Sequence, residues 1–329
     1  MTFRRILNFF RILLSYYYSR IIKKPVQGGL PFSISFEPSN LCNLSCPECP
    51  TGKNILKREK GIASLSTART VLDQVSSQAF YLNLSFQGEP FLNPDVIKMI
   101  RMAKQRKMFV TISTNGHFLD PETCFQIVES GLDSILISVD GTTQEVYEKY
   151  RIGGSLAKVS EGVRNLVDAK INAKKRHPRI TLQFLVFRHN EHQIKEIRQM
   201  ARLWGADTVK LKTAQIYNFE TGSSRMTTIQ RFSRYIAIPE KNADKNTGQE
   251  KYRIKYHLSN HCFRLWSTCV ITWDGRVVPC CFDKNADFEM GNICYEIFKD
   301  IWFGEKFNHF RENILNNRKG VFICRNCVK

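Results

Sequence analysis

The residues of this chain best suited to chemistry are its cysteines, 11 among 329 residues. Cys42, Cys46 and Cys49 stand together in the segment Glu37-Pro-Ser-Asn-Leu-Cys-Asn-Leu-Ser-Cys-Pro-Glu-Cys-Pro. A tetrahedral zinc usually takes four ligands with paired C-x2-C spacing. Three thiolates in a C-x3-C-x2-C pattern suit an iron–sulfur cube instead, with one iron left open to bind a further molecule. Seven others crowd the last stretch, at Cys262, Cys269, Cys280, Cys281, Cys294, Cys324 and Cys327, while Cys124 stands alone. Taken alone, Cys262, Cys280, Cys324 and Cys327 read equally as ligands of a second cluster or of a zinc ribbon. An odd count without a clean secretory signal argues against a disulfide framework and predicts a reducing compartment, the cytoplasm.

Ligands on a loop need a frame, and alternating elements supply one. Phe32–Phe36 reads as a strand directly before the first cysteines, followed by a helical pattern near Ser66–Ala79 capped by Ser64 or Ser66. Tyr81–Phe86, Phe109–Thr114, Ser134–Val139, Ile180–Phe187 and Thr208–Thr213 are further strands, rich in β-branched and aromatic residues. Helical stretches near 94–106, 121–130, 155–174 and 191–204 lie between them. Such alternation implies parallel strands with right-handed crossovers, and six units suit a partial (β/α)6 TIM-like barrel, an α/β fold. Chemistry then belongs at the carboxyl ends of the strands, where Gln87-Gly88-Glu89-Pro90, Thr114-Asn115-Gly116 and Ser138-Val139-Asp140-Gly141 fall. Turn formation alone explains one such motif, but three in corresponding places point to a site. Residues 218–258 read as a polar connector, including the run Glu240–Glu250. Beyond it, Cys269–Trp273, Asp274-Gly275 and Arg276–Pro279 read as a hairpin with a tight turn.

With 24% charged and 43% hydrophobic residues, 18 Gly and 11 Pro, the composition excludes a disordered, collagen-like or low-complexity chain. The formal charge of +19 favours anionic partners without choosing among nucleic acid, membrane surface and small anions. Residues 1–24 carry six basic residues and no acid among Phe, Tyr, Ile and Leu. Arg11 and Arg20 interrupt the apolar run, so a spanning helix is not expected. Two readings of this basic amphipathic helix remain: docking on the protein's own body, or peripheral contact with an anionic membrane. The basic run Lys170–Arg179 reads as a solvated helix face.

The cysteine motif and the ordered strand-end motifs together resemble the radical S-adenosylmethionine (SAM) enzymes, with residues 31–217 as the core. In that resemblance Cys42, Cys46 and Cys49 hold a [4Fe–4S] cluster that binds SAM. Gln87, Gly88, Glu89 and Pro90 resemble the family's motif at the SAM amino group, and Asn115 falls among the polar positions around the cofactor. Ser138 and Asp140 resemble positions near the SAM ribose, and Arg151 resembles an arginine that holds the SAM carboxylate. Glu48 departs from the family pattern, which carries an aromatic there; Phe86 or Phe187 is then expected to pack on the adenine. The pattern C-x12-G-x4-C from Cys262 to Cys280, with Gly291-Asn-Ile293, Ile301-Trp302 and the closing Cys324 and Cys327, resembles the SPASM/twitch extension. Residues 259–329 would then bind one auxiliary [4Fe–4S] cluster through Cys262, Cys280, Cys324 and Cys327, with Cys269 as the alternative ligand. Cys124 and Cys294 are expected to be buried. Cys281 and Asp283 stand at or near a position that is a catalytic base in related enzymes.

The resemblance implies reductive cleavage of SAM to a 5′-deoxyadenosyl radical, hydrogen abstraction, and oxidation or cross-linking of a peptide or protein side chain, with the auxiliary cluster accepting an electron. An external donor of flavodoxin or ferredoxin type is implied. The alternative substrate is a small molecule such as a sugar, an aminocyclitol or a lipid head group, the last favoured by the basic N-terminal helix. A non-catalytic metal-cluster protein binding nucleic acid is the reading from another class, and nucleic acid is not the expected partner.

Overall fold

The computed structural model describes residues 2–217, 219–238 and 251–327, so the run Glu240–Glu250 lies outside the described residues. After helix α1 (Phe3–Ile22), six parallel strands follow: β1 (Ser33–Phe36), β2 (Tyr81–Leu84), β3 (Phe109–Thr114), β4 (Ser134–Ser138), β5 (Arg179–Val186) and β6 (Thr208–Thr213). The helices α2 (Leu65–Val75), α3 (Val96–Gln105), α4 (Pro121–Glu129), α5 (Gln144–Glu148), α6 (Leu156–Asn172) and α7 (Ile194–Leu203) connect them. This is the expected α/β partial barrel.

Period-two alternation divides each strand between two environments. Leu82, Leu84, Val110, Ile112, Ile135, Ile137, Leu182 and Phe184 are buried in the core shared with the helices. The intervening positions form a polar layer on the other side of the sheet. There Tyr81 Oη lies 2.8 Å from Thr111 Oγ1, and the Asn83 amide donates to Ser35 Oγ at 3.3 Å. Local chemistry sets the helix starts: Ser64, Asp120 and Ser155 each accept a backbone N–H of the first turn, and Pro121 occupies the first turn of α4.

The C-terminal region joins the same sheet. Strand β9 (Thr268–Ile271) pairs in parallel with β1, and β10 (Arg276–Val278) returns antiparallel around Gly275, whose φ is 86°. Strand β11 (Gly291–Asn292) completes the order β11-β10-β9-β1-β2-β3-β4-β5-β6. Helices α8 (Arg264–Ser267), α9 (Phe298–Phe303) and α10 (Glu305–Asn317) cover it, with Trp266, Trp302 and Phe307 fully buried. The stretch read as a polar connector carries a short antiparallel pair, β7 (Tyr235–Ala237) with β8 (Tyr252–Ile254). Three-residue strands are too short to register as a periodic pattern.

Helix α1 docks on the body. Arg5 donates to the carbonyls of Ser76, Arg106 and Lys107, Asn8 exchanges two hydrogen bonds with Leu30, and Ile12 is fully buried. Tyr16 packs edge-on against Phe263 and Trp266. Among the described residues, no helix is long and apolar enough to cross a membrane.

Candidate active site

The first cysteine loop leaves β1 through Glu37, a residue that the sequence reading missed. Its fully buried carboxylate receives both terminal nitrogens of Arg58 at 2.8 Å, and the backbone N–H groups of Gln87 and Trp273 at 3.3 and 3.2 Å. One acid thus joins the start and end of the cysteine loop, the end of β2 and the β9–β10 turn. An acid directly after an apolar strand was the available signal. Arg58 also donates Nε to the Lys284 carbonyl at 2.8 Å.

The strand-end motifs close around this loop. Gly88 has φ of 72°, and a Cβ there would lie 2.5 Å from the Ser39 carbonyl oxygen and 2.6 Å from that of Leu41. Glu89 is buried, and its carboxylate accepts from Phe91 N at 3.2 Å, Thr114 Oγ1 at 2.8 Å and Asn115 N at 2.7 Å. Burial pushes its carboxyl up to about 7 against these donors. Its visible task is to bind the end of β2 to the end of β3. The Asn115 amide reaches Asn43 Oδ1 at 2.7 Å and points at Cys42 Sγ from 3.9 Å.

Asp140, fully buried after β4, accepts from Arg151 Nε at 2.7 Å and Nη2 at 2.6 Å, and from Leu185 N at 2.6 Å. Held in this way, Arg151 turns Nη1 towards Cys46 Sγ at 3.7 Å. Ser138 is buried as the last residue of β4, and Pro90 opens the 3-10 turn that follows Glu89. His117, also missed, accepts Ser155 N at Nε2, which leaves Nδ1 to donate to Asn115. Glu48 accepts Tyr217 N and pairs with Arg225, tying the third cysteine to the segment after β6. Phe187 is fully buried against Tyr150 and His189 and offers no open ring face, whereas Phe86 lies half-buried under the Arg58 guanidinium.

The distant C-terminal cysteines converge. Cys280 lies within electrostatic reach of Cys262 and Cys324, and Cys324 within reach of Cys262 and Cys327. Arg318, a third missed residue, is buried, donates to Cys327 Sγ at 3.3 Å and is held by the His261 carbonyl at 2.7 Å. Burial pushes the Cys42 and Cys324 thiols up to about 11, so ligation must displace their protons. N–H donors aimed at the sulfurs at both sites fit anionic thiolate-bound clusters. Among the described residues, no three His, Cys, Asp or Glu side chains close around a single-ion position.

One expectation needs correction, the burial of Cys294. Cys269 lies in β9 opposite Ile34, fully buried, with Arg311 rather than another thiol as its charged neighbour. Strand alternation turns it into the core. Cys294 is exposed, in the turn after β11. Asp283 is fully buried, accepts Asp287 N at 2.8 Å and Phe288 N at 2.9 Å, and so holds its own loop. Cys281 is exposed, with Arg264 Nη1 3.5 Å from its sulfur. Cys124 is buried as expected.

Residues 36–201 match the family model of the radical SAM superfamily, and residues 262–328 match that of the iron-sulfur cluster-binding domain SPASM. The chain belongs to the radical SAM superfamily. As a radical SAM enzyme with a SPASM domain, it uses [4Fe–4S] clusters and SAM. It is 28% identical over 295 residues to the PqqA peptide cyclase of Gluconobacter oxydans, covering 85% of this chain and 79% of that protein. It is 26% identical over 298 residues to the mycofactocin maturase MftC of Mycobacterium ulcerans, covering 86% and 78%. The structure of Streptococcus suis SuiB bound to its precursor peptide SuiA shares the fold, with a TM-score of 0.64 at 14% identity over 92% of this chain and 72% of that one.

Proposed function

We propose that this radical SAM enzyme oxidises or cross-links a side chain of a peptide. In this reading Cys42, Cys46 and Cys49 hold the SAM-binding cluster, and Cys262, Cys280, Cys324 and Cys327 hold the auxiliary one. Residues 87–90, Asn115, Ser138, Asp140 and Arg151 surround SAM. When bound, these groups would supply the redox chemistry: one-electron cleavage of SAM to methionine and a 5′-deoxyadenosyl radical able to take a hydrogen atom from carbon, and an acceptor at the auxiliary site for the electron released as the substrate is oxidised.

The chain's own residues orient and shield. Asp140 fixes the Arg151 guanidinium beside Cys46, and the Asn115 amide positions the loop of Cys42. Tyr150 and Phe187, packed 4.3 Å apart, exclude water beside the cysteines. The observation that carries the reading is the junction of the two cysteine groups. At the end of the first cysteine loop Arg58 Nε donates to the Lys284 carbonyl at 2.8 Å and Lys57 N to Asn285 Oδ1 at 3.1 Å, and half-buried Lys284 holds its ammonium 5.1 Å over the Tyr217 ring. The loop that follows Cys280 thus meets the end of the first cysteine loop, a contact in keeping with electron removal from a single substrate.

Support for a peptide comes from the relatives, one of which is named a peptide cyclase and another a maturase. Further partners in this reading are a flavodoxin- or ferredoxin-like electron donor and a membrane surface at α1. Of the two bases considered, Cys281 alone is exposed. The test incubates the reduced, cluster-loaded enzyme with SAM and a precursor peptide encoded beside its gene. A peptide lighter by two hydrogens, with matching 5′-deoxyadenosine, is expected. Formation of 5′-deoxyadenosine with an unchanged peptide rejects the substrate class, and full product from Cys281→Ser removes that base.

A further inference from the structure

Helix α1 is amphipathic in the inverted sense: its docked side is mixed and largely polar, and its open side is apolar. At 3.6 residues per turn, Arg5, Asn8, Ile12, Ser15, Tyr16 and Ser19 share the buried side. Opposite them Phe3, Phe10, Leu14 and Ile21 are 79%, 55%, 72% and 79% exposed, with Leu7 and Tyr17 beside them. A helix docked only for stability would turn these side chains inwards. Along the flanks of this stripe stand the exposed Arg4, Arg11 and Arg20. No acid occurs in residues 1–24.

The position of the helix extends this surface. Its contacts with Ser76, Arg106, Lys107 and Phe32 lie just before β2, β3 and β1, so α1 crosses the amino ends of the strands. In a parallel sheet every helix-to-strand turn emerges at this same end. Ile171 and Leu203, 66% and 82% exposed, end or nearly end α6 and α7 there, together with the exposed Lys174, Lys175 and Arg176. Acids beside these turns are neutralised: Asp73 pairs with Arg106, Glu129 with Lys175, Asp133 with Lys104 and Asp207 with Lys170. At the carboxyl end of α1, a cavity of about 340 Å³ is lined by Arg20, Lys23, Asn260, His261, Leu315 and Asn316. It offers two cations where a lipid head group would lie.

We infer that α1 and the amino-terminal end of the barrel form a docking face for an anionic lipid bilayer, which holds the enzyme with the loop of Cys42, Cys46 and Cys49 turned towards water. Apolar side chains enter the interface, and the flanking cations meet lipid phosphates. The loop of Cys42, Cys46 and Cys49 lies at the carboxyl ends of the strands, the opposite end of the sheet, whereas Cys262 stands between His261 and Phe263, which contact Tyr16 of α1. A lipid head group in the docked bilayer therefore lies away from the loop of Cys42, Cys46 and Cys49. The face is independent of the peptide reading.

The test is flotation of the full-length, cluster-loaded protein with vesicles of phosphatidylcholine alone or mixed with phosphatidylglycerol. Binding to the anionic vesicles is expected, weaker on neutral ones and falling as salt rises. Joint Phe10→Glu and Leu14→Glu substitution should lower binding by about tenfold or more, with iron content and uncoupled 5′-deoxyadenosine formation unchanged. Lys174→Glu with Arg176→Glu, remote from α1, should weaken anionic binding several-fold and keeps the test valid if the helix variant misfolds. Failure of the wild type to float with anionic vesicles at low salt overturns the inference. So does a lipid-free dimer that dissociates in the helix variant, because a second copy then covers the face.

Discussion

Replacing Glu37 by Gln removes one charge from a fully buried, bidentate pair. Arg58 keeps its positive charge where its side chain is 1% exposed, and two backbone N–H groups lose their charged acceptor. Breaking a buried ion pair from one side costs about 3–5 kcal/mol, because the stranded charge keeps its desolvation penalty. The pair spans the cysteine loop and the C-terminal region, so loosening it should also lower iron at Cys42, Cys46 and Cys49. Urea unfolding of cluster-loaded wild type, Glu37→Gln, Arg58→Met and the double variant measures this, provided that the slope m is unchanged. The double variant should recover a large part of the loss, since it strands no charge. A Glu37→Gln protein within about 1 kcal/mol of wild type, with full iron, would refute the reasoning.

Glu89 supplies a pH test. Its carboxyl is raised from 4.5 to about 7 by burial, so its contribution is fully present below pH 4.5 and lost as pH rises through 7, on the order of 3 kcal/mol. Glu89→Gln should flatten stability between those limits, measured by urea midpoints at several pH values. Gly88→Ala forces a Cβ to 2.5 Å from the Ser39 carbonyl at positive φ, and should cost about 1–3 kcal/mol or more and deplete iron at the first site. Anaerobic iron analysis separates the C-terminal thiols: wild type should hold about eight irons, Cys262→Ser and Arg318→Met closer to four, and Cys269→Ser about eight with lowered stability. Equal depletion in Cys269→Ser would return that thiol to the ligand set.

The parallel barrel was legible because its determinants are local. Apolar runs of strand length, helical periods and capping residues such as Ser64 and Asp120 act over a few positions. The motif cysteines and the strand-end residues were legible because their spacing fits one constellation. What the sequence left open depends on contacts across long separations. Glu37 meets Arg58 and Trp273 only when β9 pairs with β1, and Arg318 reaches Cys327 only when the chain after α10 folds back on residues 259–261. Cys269 and Cys294 could not be sorted by spacing, because the strand face decided one and a turn beyond a two-residue strand the other. The basic helix is the clearest division. Residues 1–24 determined by themselves that an amphipathic, acid-free helix would form. Only tertiary structure decided which side it buries, because Arg5 and Asn8 find backbone partners at the strand starts that no local pattern encodes.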